Sequence, residues 1–307
     1  MYPHYKVDKG QCSIYNLTNK WLKGNNWLKG KSMKRIGYLG PQGTFTHEAA
    51  VTYADGGCWE FVDYSDIPGL IQGVDSGEID QAVVPMENSL EGTVNATVDM
   101  IIHEVDVRIY GELILPVTHC LLARHGVDIK DLKLVLSHPH ALAQCRTFLR
   151  RTLGGIQTRP TTSTAAAAKE VMNGRDEWGA IASRHAAGVY GLNILCENIQ
   201  GNYQNSTRFV ILSKELREPT GCDKTSIVFS VDDKPGSLFH ALKIFADSNI
   251  NLTKIESRPM KTSLGAYLFV VDLEGHMQDD VVGSALEKLA QESKYFAVLG
   301  SYPKFLL

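Results

Sequence analysis

The chain has 307 residues, 44% of them apolar, and a formal net charge of −3, which fits a globular protein of two or three domains. No run approaches the ~18 apolar residues of a membrane-spanning helix, and the charge is not basic enough to point to nucleic acid. The six cysteines (Cys12, Cys58, Cys120, Cys145, Cys196 and Cys222) contain no Cys-x-x-Cys pair. That disfavours a zinc ribbon or thioredoxin-type site, and without a secretory leader they read as reduced thiols of a cytoplasmic protein. His138-Pro139-His140 has no further ligands at metal spacing, so capping or packing is the preferred reading and no metal is expected.

The charge is unevenly placed. Residues 1–32 hold six Lys and one Asp, a charge of +5, which leaves −8 for residues 33–307. This segment is polar and aperiodic and nearly repeats Trp21-Leu22-Lys23-Gly24 as Trp27-Leu28-Lys29-Gly30; its composition predicts disorder. Two other readings stand beside that one: a basic, Trp-containing patch for a membrane or RNA, and a native start at Met33.

From Met33 the pattern is globular. A strand at 34–39 runs into Gly40-Pro41-Gln42-Gly43-Thr44-Phe45 and a helix opening at Thr46. Glycines flanking a strand-to-helix turn leave backbone N–H groups for a ligand, and the helix N-terminus favours an anion. P-loop and Gly-x-Gly-x-x-Gly spacings do not occur here, which disfavours a nucleotide. An amphipathic helix is predicted over 66–77, with Ile67, Leu70, Ile71 and Val74 on one face. A buried strand at 81–85 then leads into Met86-Glu87-Asn88-Ser89-Leu90-Glu91-Gly92-Thr93-Val94. Polar residues crowded at the carboxyl end of a strand mark the crevice where open α/β sheets bind ligands.

A helix follows at 95–103 and β-structure at 108–124. A second α/β unit has a strand at 134–136, Ser137-His138-Pro139, and a helix at 141–153. Thr161-Thr162-Ser163-Thr164 precedes an alanine-rich helix and suits either an anion or a plain cap. A strand at 179–182 leads to a helix opening at Ser183, and Asn205-Ser206-Thr207-Arg208-Phe209 is a polar loop entering a strand. The polar stretch 213–223, with Pro219 and Gly221, is the best domain boundary. Beyond it come strand 225–231, helix 237–248, strands 251–259 and 265–273, helix 279–292 and strand 295–302. This ferredoxin-like βαββαβ order carries no catalytic cluster and reads as regulatory or oligomerising.

Taken in order, Gly40–Phe45, Val84–Ser89, Glu91–Val94, Ser137–Pro139, Thr162–Ala165 and Asn205–Phe209 resemble the prephenate dehydratase family from Met33 to about Tyr302. The last segment is similar to that family's ACT domain. The resemblance implies an α/β fold with a two-lobe, periplasmic-binding-protein-like catalytic region at 33–213. Lobe one would span about 34–111 and 190–212, and lobe two about 112–189, with the motifs lining the cleft and a ferredoxin-like ACT domain at 224–302. It implies a homodimer or homotetramer converting prephenate to phenylpyruvate, water and carbon dioxide in L-phenylalanine biosynthesis, with no cofactor.

On this resemblance Thr207 is the candidate donor to the leaving hydroxyl, and Glu87 is an acid or, with Asn88, an orienting group. Ser89 joins them. Thr162, Ser163 and Thr164 suit a substrate carboxylate, Thr44, Phe45 and Asn205 suit other parts of the substrate, and Arg208 is a carboxylate clamp or a structural ion pair. L-Phenylalanine would bind as effector at Pro235, Gly236, Ser237, Leu238, Asn249, Asn251, Leu252, Glu256 and Ser257, where Ser237 departs from the family's usual alanine. Arogenate dehydratase is the nearest alternative. A non-enzymatic solute-binding sensor is the alternative from another class.

Overall fold

A computed structural model describes residues 33–55, 57–201, 205–260 and 267–305. The readings of residues 1–32, and the first two residues of the strand expected at 265–273, lie outside the described residues. Lobe one contains β1 (Lys34–Leu39), α1 (Phe45–Tyr53), β2 (Trp59–Tyr64), α2 (Ile67–Asp75), β3 (Gln81–Asn88), β4 (Gly92–Thr93), α3 (Asn95–His103) and β5 (Arg108–Pro116). Lobe two contains β6 (Cys120–Ala123), β7 (Leu134–Ser137), α4 (Pro139–Gln144), α5 (Arg146–Thr152), β8 (Gln157–Pro160), α6 (Thr164–Met172), β9 (Trp178–Ala182), α7 (Arg184–Tyr190) and β10 (Asn193–Cys196). The chain then returns to lobe one as β11 (Ser206–Ser213). The C-terminal domain runs β12 (Asp223–Ser230), α8 (Ser237–Asp247), β13 (Leu252–Pro259), β14 (Tyr267–Glu274), α9 (Asp280–Glu292) and β15 (Tyr295–Pro303).

Three sheets result, ordered β2-β1-β3-β11-β5, β10-β6-β9-β7-β8 and β13-β14-β12-β15, with β4 paired to β3. The two lobes and the βαββαβ domain are as expected, but the lobe boundaries shift. Residues 112–116 stay in lobe one because β5 pairs with β11 throughout its length. Residues 193–196 belong to lobe two because β10 pairs with β6. The chain therefore crosses between lobes at 117–119 and returns to lobe one at Asn205, and the two crossings are bonded to each other. Val117 N–H donates to the Asn205 carbonyl at 2.8 Å, and Ile199 N–H to that of His119 at 3.1 Å. The helix expected at 141–153 breaks at Cys145 into α4 and α5.

Side-chain alternation along β11 distributes the core. Phe209 and Ile211 pack with Ile36, Ala50, Val83 and Leu113 beneath α1. Val210 and Leu212 face the other way, into one cluster with Val84, Met86 and Ile109 of lobe one and Val228, Leu268, Val270 and Leu299 of the C-terminal sheet. That sheet's second face buries Ile227, Phe229, Val271 and Leu273 under α8 and α9. At roughly 1.5–3 kcal/mol per fully buried aliphatic or aromatic side chain, the shared cluster joins the C-terminal domain firmly to lobe one. Among the described residues no helix is long and apolar enough to cross a membrane.

β15 and β5 approach closely at Gly300, where a Cβ would lie 2.2 Å from the Ile109 carbonyl oxygen. Gly300→Ala must push the two strands apart, and overpacking of this kind costs about 1–3 kcal/mol or more. A clear drop in the thermal unfolding midpoint is expected; an unchanged midpoint would mean that the strands separate without loss.

Candidate active site

The antiparallel register of β3 and β11 sets Thr207 opposite Asn88 and Arg208 opposite Glu87. The first of these two rungs is a polar cluster. The Asn88 amide is held at both ends: Oδ1 accepts from the N–H groups of Leu90 (2.9 Å) and Glu91 (3.1 Å), and Nδ2 donates to Asn205 Oδ1 (2.8 Å) and Thr207 Oγ1 (2.9 Å). Ser89 Oγ accepts from Ser206 N–H at 3.0 Å and lies 3.4 Å from Asn205 Oδ1. Thr207, Asn88, Ser89 and Asn205 are thus gathered beside the second crossing. The Thr207 oxygen accepts from Asn88, and among the described residues nothing takes the hydroxyl proton. A hydroxyl that already accepts a hydrogen bond is polarised into a better donor.

The second rung faces the other side, because successive side chains on a strand point to opposite faces. Arg208 is buried there. Its Nε donates to Glu112 Oε2 (2.7 Å), Nη1 to Asp272 Oδ2 (2.7 Å) and Nη2 to the Tyr302 hydroxyl (2.8 Å). Lys224 Nζ reaches both oxygens of Glu112, at 2.9 and 3.0 Å. Burial opposes the Arg208 charge, but Tyr302, Asp272 and Glu112 outweigh it and raise the guanidinium pKa. The clamp reading of Arg208 is therefore corrected to the structural ion pair. Glu87 is likewise drawn off the cluster: Oε2 accepts from Lys254 Nζ at 3.0 Å. Lys254 also meets Thr93 Oγ1 at 3.2 Å and Glu256 at 3.3 Å. The acid role of Glu87 gives way to an ion pair with the C-terminal domain.

The hydroxyls at the two helix starts act as caps. Thr44 Oγ1 donates to the Leu39 carbonyl (2.8 Å) and accepts from His47 N–H (3.2 Å). Ser163 Oγ accepts from Ala166 N–H (3.0 Å), and Thr161 donates to the Ser163 carbonyl (2.9 Å). Thr162 is exposed and Thr164 opens α6. Among the described residues no hydrogen bond joins this lobe-two group to Thr207. Phe45 meets the ring edge of His119, on the first crossing, with centroids 6.0 Å apart.

In the C-terminal domain, Pro235, Gly236, Ser237 and Leu238 form the start of α8, with Gly236 at φ +88°. Asn249 lies just beyond that helix at φ +54°, the Asn251 carbonyl accepts from Glu274 N–H at 3.0 Å, and Leu252 packs against the core under α8 and α9. Ser257 is exposed. Glu256 points to the opposite face, where Thr93 Oγ1 donates to it at 2.5 Å. It takes part in the contact with lobe one.

Several contacts across the cleft carry no signal in the sequence. The Tyr190 hydroxyl donates to the Gln42 carbonyl at 2.6 Å, His140 bonds Glu91, and His185 Nε2 lies 2.8 Å from His47 Nδ1. His47 Nδ1 also accepts from Gly43 N–H at 3.2 Å. An N–H donated to Nδ1 requires that nitrogen's lone pair to be free of a proton, so His47 is neutral with its proton on Nε2. Burial, and next the neighbouring His185, hold its pKa down at about 4; burial lowers that of His185 too. In the unfolded chain His47 takes up a proton near 6.5. Between these values the unfolded state binds more protons, so stability falls as pH drops through that window. The unfolding midpoint of the wild type is expected to fall more steeply with acidification than that of His47→Asn; parallel slopes would rule the contact out as a source.

The sequence model of the prephenate dehydratase family matches residues 36–217, and that of the ACT domain matches 225–291. The chain is 45% identical over 273 residues to the bifunctional chorismate mutase/prephenate dehydratase of Aquifex aeolicus, covering 89% of this chain and 74% of that protein. It is 42% identical over 284 residues to arogenate dehydratase/prephenate dehydratase 2, chloroplastic, of Arabidopsis thaliana, covering 89% and 73%. The structure of prephenate dehydratase in complex with L-Phe from Arthrobacter aurescens matches with a TM-score of 0.79 at 39% identity, over 88% of this chain and 90% of that one. The motifs, the two-lobed sheet order and these matches agree: the chain belongs to the prephenate dehydratase family and carries a C-terminal ACT domain.

Proposed function

We propose that the cleft expels water and carbon dioxide from prephenate with Thr207 as donor to the departing hydroxyl, and that L-phenylalanine regulates turnover at the ACT domain. The electron pair of the bond between ring and ring carboxylate moves into the ring as carbon dioxide leaves. On the opposite ring carbon the C–O bond breaks, and the hydroxyl takes up one proton and departs as water. Aromatisation drives the reaction, so the protein has to orient a dianion and assist one leaving group. The observation that supports this role is the Asn88 amide donating to Thr207 Oγ1 at 2.9 Å, which leaves the threonine proton for the substrate. A proton passed through the hydroxyl is replaced from water.

The start of α6, with Thr162, Ser163 and Thr164, suits a substrate carboxylate. Thr207→Val is expected to lower kcat by about 10²–10⁴-fold, the usual span for a positioned proton donor, in an absorbance assay for phenylpyruvate. Retained turnover would reject the role, and loss of substrate binding with no turnover in the wild type would favour a solute-binding sensor. Relatives named for both substrates exist, so prephenate and arogenate are to be offered in competition; dominance of arogenate would change the substrate and leave the chemistry in place.

For regulation, the support is the matched ACT domain and the L-Phe in the Arthrobacter relative's structure. The effector's carboxylate suits the start of α8 at Pro235–Leu238, and Ser257 is exposed on β13. Among the described residues β13 pairs only with β14, and Phe239, Ile255 and Tyr267 are exposed. An open strand edge beside apolar side chains suits a second copy, in a homodimer or homotetramer. Ile255→Asp is expected to give a smaller species by light scattering and to weaken inhibition by phenylalanine. An unchanged mass with unchanged inhibition would place the interface elsewhere.

A further inference from the structure

The rung next to Thr207 and Asn88 is anchored on the ACT sheet at both of its ends. Arg208 reaches Asp272 on β14 and Tyr302 on β15, at 2.7 and 2.8 Å. Glu87 reaches Lys254 on β13, at 3.0 Å. The anchors are themselves held: Ser226 Oγ on β12 donates to Asp272 Oδ1 at 2.5 Å and bonds the Tyr302 hydroxyl at 2.6 Å. Among the described residues lobe one supplies a single partner to Arg208, the carboxylate of Glu112, and Lys224 of β12 grips both its oxygens. Among the described residues every polar contact of the Arg208 side chain therefore ends on an ACT strand or on a group that an ACT strand holds.

We propose that the ACT sheet sets the position of the Thr207–Asn88 rung, with Arg208 and Glu87 as positioning residues and Lys254, Asp272 and Tyr302 as their anchors. The inference rests on the reading of Thr207 as the donor to the leaving hydroxyl. Its physical basis is the short covalent path. Neighbouring residues on a strand are about 3.3 Å apart along its axis, so a shift of Arg208 or Glu87 is passed to Thr207 or Asn88 nearly undiminished. A displacement of about 1 Å at reacting groups can cost on the order of 10²-fold in rate. Stability alone is a weaker account of the network, since buried ion pairs are often matched by apolar residues of the same volume.

The test is steady-state turnover of prephenate by full-length Tyr302→Phe and Lys254→Met, with thermal unfolding followed in parallel. Tyr302→Phe removes one oxygen and keeps the ring, so it remains informative where Asp272→Asn fails to fold. Both variants are expected to lose about tenfold to a hundredfold in kcat with KM unchanged, and Lys254→Arg is expected to recover most of the loss. Normal kcat per folded molecule with a lowered unfolding midpoint would overturn the inference, as would a raised KM at normal kcat. Thr207→Val separates the two readings. If it turns over normally, the donor assignment fails and the inference falls with it. If it is inactive while Tyr302→Phe and Lys254→Met behave as wild type, only the positioning inference fails.

Discussion

The Arg208 guanidinium cannot be buried alone. Removing an ion from water costs several kcal/mol even after relaxation, and here the cost is offset only because Asp272 and Tyr302 from the ACT sheet complete what Glu112 begins. That requirement ties the C-terminal domain to one place on lobe one. The apolar cluster running from Val84 and Leu212 through Val228 and Val270 fills the space around the ions. The polar stretch at 213–223 therefore divides the chain into two folding patterns without dividing the structure, and β11 serves the cleft with one face and the ACT contact with the other.

The seam between lobes is of another kind. It is crossed by single contacts, Tyr190 to Gln42, His140 to Glu91, and His185 to His47, and around His47 it is neutral. Among the described residues no buried apolar cluster spans this seam, whereas one joins lobe one to the ACT sheet. The two crossings are bonded to each other, Val117 to Asn205 and Ile199 to His119, and Asn205 belongs both to the second crossing and to the Thr207 cluster. Any effector that binds one arrangement better must, by reciprocity, be bound better when the substrate favours that arrangement.

What could be read from the sequence follows from how local the signal is. The ACT elements fall within about two residues of their expected ends, because strand alternation, the Pro235-Gly236 turn and the helix periods are all short-range. The Thr207, Asn88, Ser89 and Asn205 cluster was visible through its motifs. For Arg208 the motif left clamp and structural ion pair side by side, and for Glu87 acid and orienting group, because adjacency in a motif does not say which face a side chain takes. Period-2 alternation held the correction: Thr207, Phe209 and Ile211 share one face and Arg208, Val210 and Leu212 the other. Lys254 meeting Glu87, or His185 meeting His47, joins residues more than a hundred positions apart, and no local pattern encodes such a pairing. The lobe boundary near 190 failed for the same reason, since β10 is assigned by its partner β6 and not by its own four residues.

The commitment of Arg208 to the ACT contact also bears on the chemistry. Residues 33–307 carry a net charge of −8 and prephenate is a dianion, so the long-range field does not draw substrate in, and screening limits it to about 8–10 Å in any case. Attraction has to come from oriented dipoles at short range, such as the backbone N–H groups at the start of α6 and the side-chain amides and hydroxyls near Thr207. Dipoles suit a carboxylate that must lose its charge. A guanidinium clamped on the ring carboxylate would stabilise the charged ground state more than a transition state in which carbon dioxide is leaving, and such uniform or inverted binding lowers KM without raising kcat. Turning Arg208 to the opposite face of β11 removes that penalty, and the same charge is then spent on the contact between β11 and the ACT sheet.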